Sequence, residues 1–378
     1  MTPFLLGAAA MFAVTYSTQA ILPELGRSFD VSPAEAGLTV SGVVLALACG
    51  AWIWGPFSDR YGRKQSIVLA SALLVPPTLG AALAPNFGVL LAFRALQGLC
   101  MPGLLTAGVP YVAEAFVPRI GGRAIGYYVT SLVAGGLIGR VGVAVLADVV
   151  GWRWAIGVLA VLPLSAAVLM QRSIVDVPVA PERGEAFRGI LRQLRNPALL
   201  KATVTGTAFF FTFVGCFSYV VYRLKRPPFD FGPAAGSLVF VLWVLGAAGP
   251  LIGRLADRLG WERLGLSALA LAALGLAVSL PTSLPSLVFA LALVTLANFG
   301  GVTAAQLGVS SAAAVDRGAA SAVYFSLYYG IGSLGGYVPG LAWERYGWNG
   351  VAVTGFAALA LAAGVLLLAG AMNGSSRP

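Results

Sequence analysis

The sequence predicts an all-α polytopic membrane protein made of two related halves with six transmembrane helices each. Three observations carry this reading. First, 58% of the 378 residues are hydrophobic and only 10% are charged, against about 25% charged in soluble domains. Second, apolar runs of about 20 residues, enough to cross a bilayer core of about 30 Å, recur along the chain with short polar breaks. Third, motifs in the first half return in the second at a near-constant spacing, the sequence mark of a duplicated unit.

The runs place helices near 3–24, 34–55, 65–84, 87–113, 123–147 and 154–170 in the first half. In the second half they fall near 198–222, 232–252, 263–281, 284–308, 318–341 and 349–371. The expected division is a six-helix bundle over 1–171, a linker over 172–197 and a second bundle over 198–378. The linker is rich in arginine (Arg172, Arg183, Arg188, Arg192, Arg195) with Pro178 and Pro181, and a short amphipathic helix is expected around Phe187, Ile190, Leu191 and Leu194. The first run starts almost at Met1 with no basic region before it, so it reads as a spanning helix and not as a cleaved signal.

On this map one membrane side collects 16 of the 24 Lys and Arg residues and the other side 6. The positive-inside rule makes the richer side, with the linker and both termini, cytoplasmic. The net charge of +10 therefore tracks topology. It forms no basic stripe interleaved with aromatics, so no nucleic acid is expected as a partner. Cys49, Cys100 and Cys216 lie in apolar runs and are odd in number, which argues for core positions and against a disulfide framework.

The repeat is specific. Gly55, Asp59, Arg60 and Gly62 return as Gly253, Asp257, Arg258 and Gly260, shifted by 198 positions. Gly136, Gly139, Gly151 and Trp152 return as Gly332, Gly335, Gly347 and Trp348, shifted by 196. In Gly55-Pro-Phe-Ser-Asp59-Arg60-Tyr-Gly62-Arg63-Lys64 the glycines permit the tight turn between the second and third helices. Asp59 suits either a pairing with nearby arginines or a place against the positive end of a helix.

This segment resembles the signature of the major facilitator superfamily, and the resemblance extends over essentially the whole chain through the second copy, the helix count and the central linker. It implies the major facilitator fold, with the loop acting as a cytoplasmic latch, and so a gating role for Asp59, Arg60 and Arg63. Leu90-Leu-Ala-Phe-Arg94-Ala-Leu-Gln97-Gly98 in the fourth helix resembles a second signature of that family. Arg94 and Gln97 share a helical face. A guanidinium near the bilayer centre costs at least about 2.5–3.5 kcal/mol unless water or a partner receives it. Two readings stand: a cavity-facing Arg94 that serves substrate or protons, as the family implies, or one paired to backbone carbonyls.

Gly126, Gly135 and Gly139 in the fifth helix stand at the separations of the antiporter signature, but Arg140 occupies the place of its proline. The glycines are expected to allow close helix packing. Arg140 is a second candidate for a buried charge, with snorkelling to the interface as its alternative. Tyr16-Ser-Thr-Gln19-Ala-Ile-Leu-Pro23-Glu24 in the first helix is similar to the drug and sugar efflux branch, especially arabinose-efflux-like permeases, although no acidic residue precedes Glu24 in that helix.

Further candidates for substrate or coupling are Asn298, Tyr324 and Tyr328, with Glu24 and Asp148 at helix ends as titrating groups. The crowded phenylalanines Phe209, Phe210, Phe211, Phe213 and Phe217 of the seventh helix suit helix packing more than a pocket. The chain has no histidine, and no acidic residue falls in mid-span on this map, so neither a metal nor a cofactor is expected and a membrane enzyme is excluded. It also lacks a Gly-Lys-Ser or Gly-Lys-Thr phosphate loop. The expected function is secondary export of a small organic solute, drug-like or sugar-like, by alternating access with proton antiport, from a monomer in a bacterial inner membrane. The alternatives are a facilitator or importer of a small organic anion and, from another class, a transporter-like sensor or scaffold.

Overall fold

The structure, a computed structural model, describes residues 1–116, 121, 123–174, 186–313 and 317–374. All regular structure among them is helical. The first half supplies α1 (Thr2–Phe29), α2 (Pro33–Tyr61), α3 (Arg63–Ala82), α4 (Phe87–Gly108), α5 (Gly126–Val150) and α6 (Trp152–Ser173). A short α7 (Ala186–Gln193) precedes α8 (Pro197–Leu224). Then come α9 (Pro233–Ala248 and Leu251–Leu259, bent by 52°), α10 (Trp261–Val278) and α11 (Leu284–Ala312). The last apolar stretch, Gly318–Leu368, has 51 residues, about 75 Å at 1.5 Å per residue and far too long for one crossing. Its backbone leaves the helical region at Gly347, which divides it into α12 (318–346) and α13 (348–368). Counted so, the described residues hold the expected twelve apolar spans, with α7 outside them.

The chain divides into two compact units. The first comprises Met1–Arg183 with Leu224–Arg226 and Asp230–Val241, and the second comprises Gly184–Arg223, Pro227–Phe229 and Leu242–Pro378.

The duplication is written in the backbone. Among the described residues, those with positive φ include Asp30 and Asp230, Gly62 and Gly260, and Gly151 and Gly347, pairs separated by 200, 198 and 196 positions. Each half therefore breaks its first, second and fifth helices at equivalent points. Gly62 (φ 93°, ψ 155°) and Gly260 (φ 75°, ψ 161°) sit in a region open essentially to glycine alone. The motif's other glycines do not turn the chain, contrary to expectation: Gly55 lies inside α2 and Gly253 inside α9. The polar residues after Gly55 continue the helix to Tyr61, so one glycine per motif carries the reversal.

Packing in the first unit depends on small residues. A Cβ on Gly135 would lie 2.0 Å from the Ala9 carbonyl oxygen, and one on Gly139 would lie 2.1 Å from that of Ala13, so α5 meets α1 backbone to backbone. Gly98 brings α4 equally close to Val43 of α2. Gly126 has open space around it, so the close approach involves only two of the three signature glycines. Of the cysteines expected in the core, Cys216 is buried, Cys100 partly so, and Cys49 faces outward. Apolar surface is not buried as a rule in a chain whose solvent is lipid.

Gly139→Ala should therefore force α1 and α5 apart, at about the 1–3 kcal/mol that overpacking costs. Thermal denaturation in detergent should show a lower midpoint for this variant and an unchanged one for Gly126→Ala. Equal midpoints for both would refute the backbone contact.

Candidate functional site

The first unit is organised around an interruption in α1. Its regular helix runs from Thr2 to Tyr16, a 3₁₀ turn covers Gln19–Ile21, and helix resumes at Leu22–Phe29. The last carbonyls of a helical segment have no intrahelical donor and form its negative end. Arg94 of α4, wholly buried, meets that need. It donates from Nη1 to the Val14 carbonyl at 2.8 Å and from Nη2 to the Thr15 carbonyl at 2.5 Å. Its Nε donates to the Thr39 carbonyl of α2 at 2.9 Å, and Nη1 also reaches Gln97 Oε1 at 2.7 Å and Ser17 Oγ at 3.4 Å. Gln97 in turn donates from Nε2 to Thr78 Oγ1 of α3 at 3.1 Å. One cation thus ties four helices together through backbone carbonyls and two side chains.

Arg140 reads the same interruption from the other side. A π turn, Ile138–Gly142, stands in α5 where the antiporter signature has its proline, and such turns often mark functional positions. Arg140 is wholly buried and does not snorkel. It donates from Nε to Gln19 Oε1 at 2.8 Å and from Nη1 to the Gly136 carbonyl at 2.9 Å. Its guanidinium carbon lies 3.9 Å from the Tyr16 ring centroid and 5.3 Å from that of Phe240, within the range of cation–π attraction. Tyr16 and Gln19 flank the break in α1, so the break itself presents both to Arg140. Beside them the Thr18 hydroxyl is buried without a hydrogen-bond partner.

Glu24 lies beyond the break. Its Oε1 accepts from Arg27 Nη2 at 3.1 Å and from Lys225 Nζ in a short ion pair, and its side chain is only 12% exposed. Asp148 is exposed near the end of α5, with its carboxylate beside Gly232.

In the second unit α8 is unbroken, and its Phe209, Phe210, Phe213 and Phe217 are buried. Phe210 stacks on Tyr328 with centroids 4.6 Å apart, and Tyr328 lies 5.4 Å from Tyr324. A Cβ on Gly206 would lie 2.9 Å from Tyr324 Oη and from the Ala305 methyl, so Tyr324, α8 and α11 converge there. The Tyr324 hydroxyl, Asn298 Oδ1 and Thr207 Oγ1 are all buried with no hydrogen-bond partner. An unsatisfied buried polar atom costs about 1–3 kcal/mol, so these three are candidates for hydrogen bonds to a bound molecule.

Of the gating residues, Arg60, Asp257 and Arg258 are exposed, and Arg63 and Lys64 are partly buried. The Arg60 guanidinium lies 5.3 Å from the Tyr61 ring centroid. The side chain of Asp59 lies outside the described residues. Sequence reasoning passed over Thr18 and Thr207, although each sits within one helical turn of a residue it selected. It also passed over Arg153 and Arg223, whose carbonyl contacts depend on helix ends brought to them by the fold.

Residues 4–337 match the Major Facilitator Superfamily. The chain is 28% identical over 345 residues to the MFS-type transporter YybF of Bacillus subtilis (strain 168), covering 90% of this chain and 85% of that one. It is 28% identical over 363 residues to the inner membrane transport protein YnfM of Escherichia coli (strain K12), covering 95% and 87%. Its fold is similar to that of a bacterial homolog to the human lysosomal transporter Spinster, with TM-score 0.75 at 17% identity, covering 98% and 96% of the two chains. The chain belongs to the Major Facilitator Superfamily, and it is a multi-pass membrane transporter and not an enzyme.

Proposed function

We propose that this transporter exports a small organic solute from a bacterial cytoplasm by alternating access, with protons moving the other way. The observation that carries this reading is the set of buried, unsatisfied polar atoms beside aromatic rings in the second unit: Tyr324 Oη, Asn298 Oδ1 and Thr207 Oγ1 with Phe210 and Tyr328. A solute with hydrogen-bonding groups on an apolar or ring-shaped frame would satisfy both kinds of surface, as drug-like and sugar-like molecules do. In the first unit Arg140, Tyr16 and Gln19 form a candidate contact of their own. Arg94 takes a different part, because its bonds to Val14, Thr15 and Thr39 make it the brace of the first unit. Glu24 is the proposed proton carrier: its carboxylate, little exposed and held by two cations, would release them on protonation. The similarity to YnfM, an inner membrane transport protein, supports a bacterial inner membrane.

A second reading, a facilitator or importer of an organic anion, is favoured by the wholly buried guanidinium of Arg140 beside an aromatic ring. Such a cation is a ready seat for a carboxylate.

Flux into proteoliposomes, with and without an imposed pH gradient, separates the two. Accumulation of a sugar or amphipathic drug only with the gradient, lost in Glu24→Gln, is the expected result. Equal flux of an organic anion without a gradient would replace the first reading by the second. In either case Arg140→Ala should lower flux at least about tenfold, the equivalent of about 1.4 kcal/mol, in a protein that still folds. Arg94→Ala should instead remove the bonds to the Val14, Thr15 and Thr39 carbonyls, each worth about 1.5–3 kcal/mol as a hydrogen bond to a charged group, seen as loss of monodisperse protein on size-exclusion chromatography. Wild-type flux in Arg140→Ala would remove that residue from the site. A stable Arg94→Ala would show that its bonds are not a brace.

A further inference from the structure

We infer that α7 is an interfacial helix that binds anionic phospholipid, seating its two exposed leucines among the acyl chains and its arginines on the headgroup phosphates. This rests on the membrane-spanning fold alone and not on any substrate.

The helix is pinned on one face and exposed on the other. α7 packs against the first part of α12, with Gly189 and Gln193 buried and Ile190 partly buried. Leu191 is 50% exposed and Leu194 is 42% exposed, and Arg192 and Arg195 are exposed as well. Leu194 still belongs to the helical ladder, because its N–H reaches the Ile190 carbonyl at 2.9 Å. At about 100° per residue, Leu194 and Leu191 stand about 60° apart on one side of the exposed arc, and Arg192 lies about 100° further round. The arc therefore grades from apolar to cationic, as in helices that lie in the plane of a membrane surface.

Its depth is fixed by its junction with α8. Asn196 accepts at Oδ1 from the N–H groups of Ala198 (3.1 Å) and Leu199 (3.3 Å), capping α8, and donates from Nδ2 to Gln193 Oε1 (3.0 Å) and to the Ala312 carbonyl at the end of α11 (3.2 Å). One side chain thus locks the end of α7 to the start of a spanning helix. One turn into α8, Lys201 pairs with Glu262 at 2.5 Å and lies 5.2 Å from the Trp261 ring centroid, a charged and aromatic girdle of the kind found at headgroup level. A rigid helix joined to α8 just before that girdle lies at the bilayer surface. Two leucines facing bulk water there would waste apolar burial, and the lipid beside α8 offers it. The arginines select the lipid: anionic headgroups draw basic residues near the surface, and guanidinium binds phosphate in bidentate fashion.

Two measurements on the full-length protein test this. In the first, a nitroxide on Leu194→Cys, with Cys49, Cys100 and Cys216 replaced by alanine, reports depth in vesicles of phosphatidylcholine with or without phosphatidylglycerol. The expected result is a label shielded from water-soluble nickel and accessible to oxygen, more deeply so when phosphatidylglycerol is present. In the second, native mass spectrometry from detergent compares retained phosphatidylglycerol with phosphatidylcholine. The Arg192→Gln/Arg195→Gln double variant should lose the preference about 10- to 30-fold, the effect of two surface arginines, and Arg192→Lys/Arg195→Lys should keep most of it. A label open to nickel in both vesicles, a label buried only when another protein is added, or an unchanged lipid preference in the glutamine variant would each overturn the inference.

Discussion

A permanent cation in the hydrocarbon core has to be given acceptors, and in the first unit that requirement shapes four helices. Arg94 cannot be neutralised by losing its proton, so its stability depends on oxygen atoms brought to it. A continuous α1 would offer few, because its carbonyls would be committed to the helical ladder. The interruption after Tyr16 leaves those of Val14 and Thr15 at the negative end of a half-helix, within reach of Arg94, which is the polarity a guanidinium needs. Neither half of the arrangement is stable alone. An unsatisfied carbonyl in lipid costs several kcal/mol and an unsatisfied arginine at least about 2.5–3.5 kcal/mol, whereas together they cancel. Discontinuous helices at the membrane midplane are where transporter sites are built, and here the break also carries Tyr16 and Gln19 to Arg140.

The second unit shows what the same ancestral helices look like without that demand. The position that corresponds to Arg140 at the repeat shift of 196 is Gly336, and shifts of 196 to 198 from Arg94 fall on Ala290, Leu291 and Ala292. α8, the counterpart of α1, is an unbroken helix of 28 residues. Its polar capacity is spent differently, on single hydroxyl and amide groups spread over three helices. Two units with a common backbone plan thus offer different chemistry, one rigid, cationic and internally satisfied at Arg94, the other aromatic with open hydrogen-bonding groups.

Much of this was legible in the sequence because membrane folding leaves few ways to hide an exception. Arg94 and Arg140 stood out as the only charges in mid-span, and the shifts of 198 and 196 located the turns that Gly62, Gly260, Gly151 and Gly347 make. Features set by two segments at once could not be read. The break in α1 falls at Ser17 and Thr18, polar residues inside an otherwise apolar run, and the arginine that meets its carbonyls, Arg94, lies some eighty positions away. The π turn at Arg140 is invisible for the same reason, since one extra residue in a helical turn changes no periodicity that a short window can detect. Gly55 shows the converse error. Its place in a turn-like motif suggested a turn, yet charged residues extend a helix past the membrane as readily as they end it. Choosing between the two readings of Arg94 needed the carbonyl positions, which only the fold supplies.

The helix ends opposite the linker make the same point about what selection acts on. At the end of α3 the carbonyls of Ala82 and Ala84 accept from Arg153 Nη1 at 3.1 and 2.7 Å. At the corresponding end of α10 the carbonyls of Ser279, Leu280 and Pro281 accept from Arg223 at 2.5, 3.2 and 2.7 Å. Each guanidinium lies against a repeat-related tryptophan, Arg153 at 4.4 Å from Trp152 and Arg223 at 5.0 Å from Trp348. Yet the arginines are not repeat-related: one opens α6 and the other closes α8, and Trp348 is followed by Asn349 where Trp152 is followed by Arg153. The fixed quantity is the need of a helix end for a cation beside an indole, and either neighbouring helix can supply it. Resemblance at the level of residues therefore understates the likeness of the halves, because the backbone groups that must be satisfied are retained more strictly than the side chains that satisfy them.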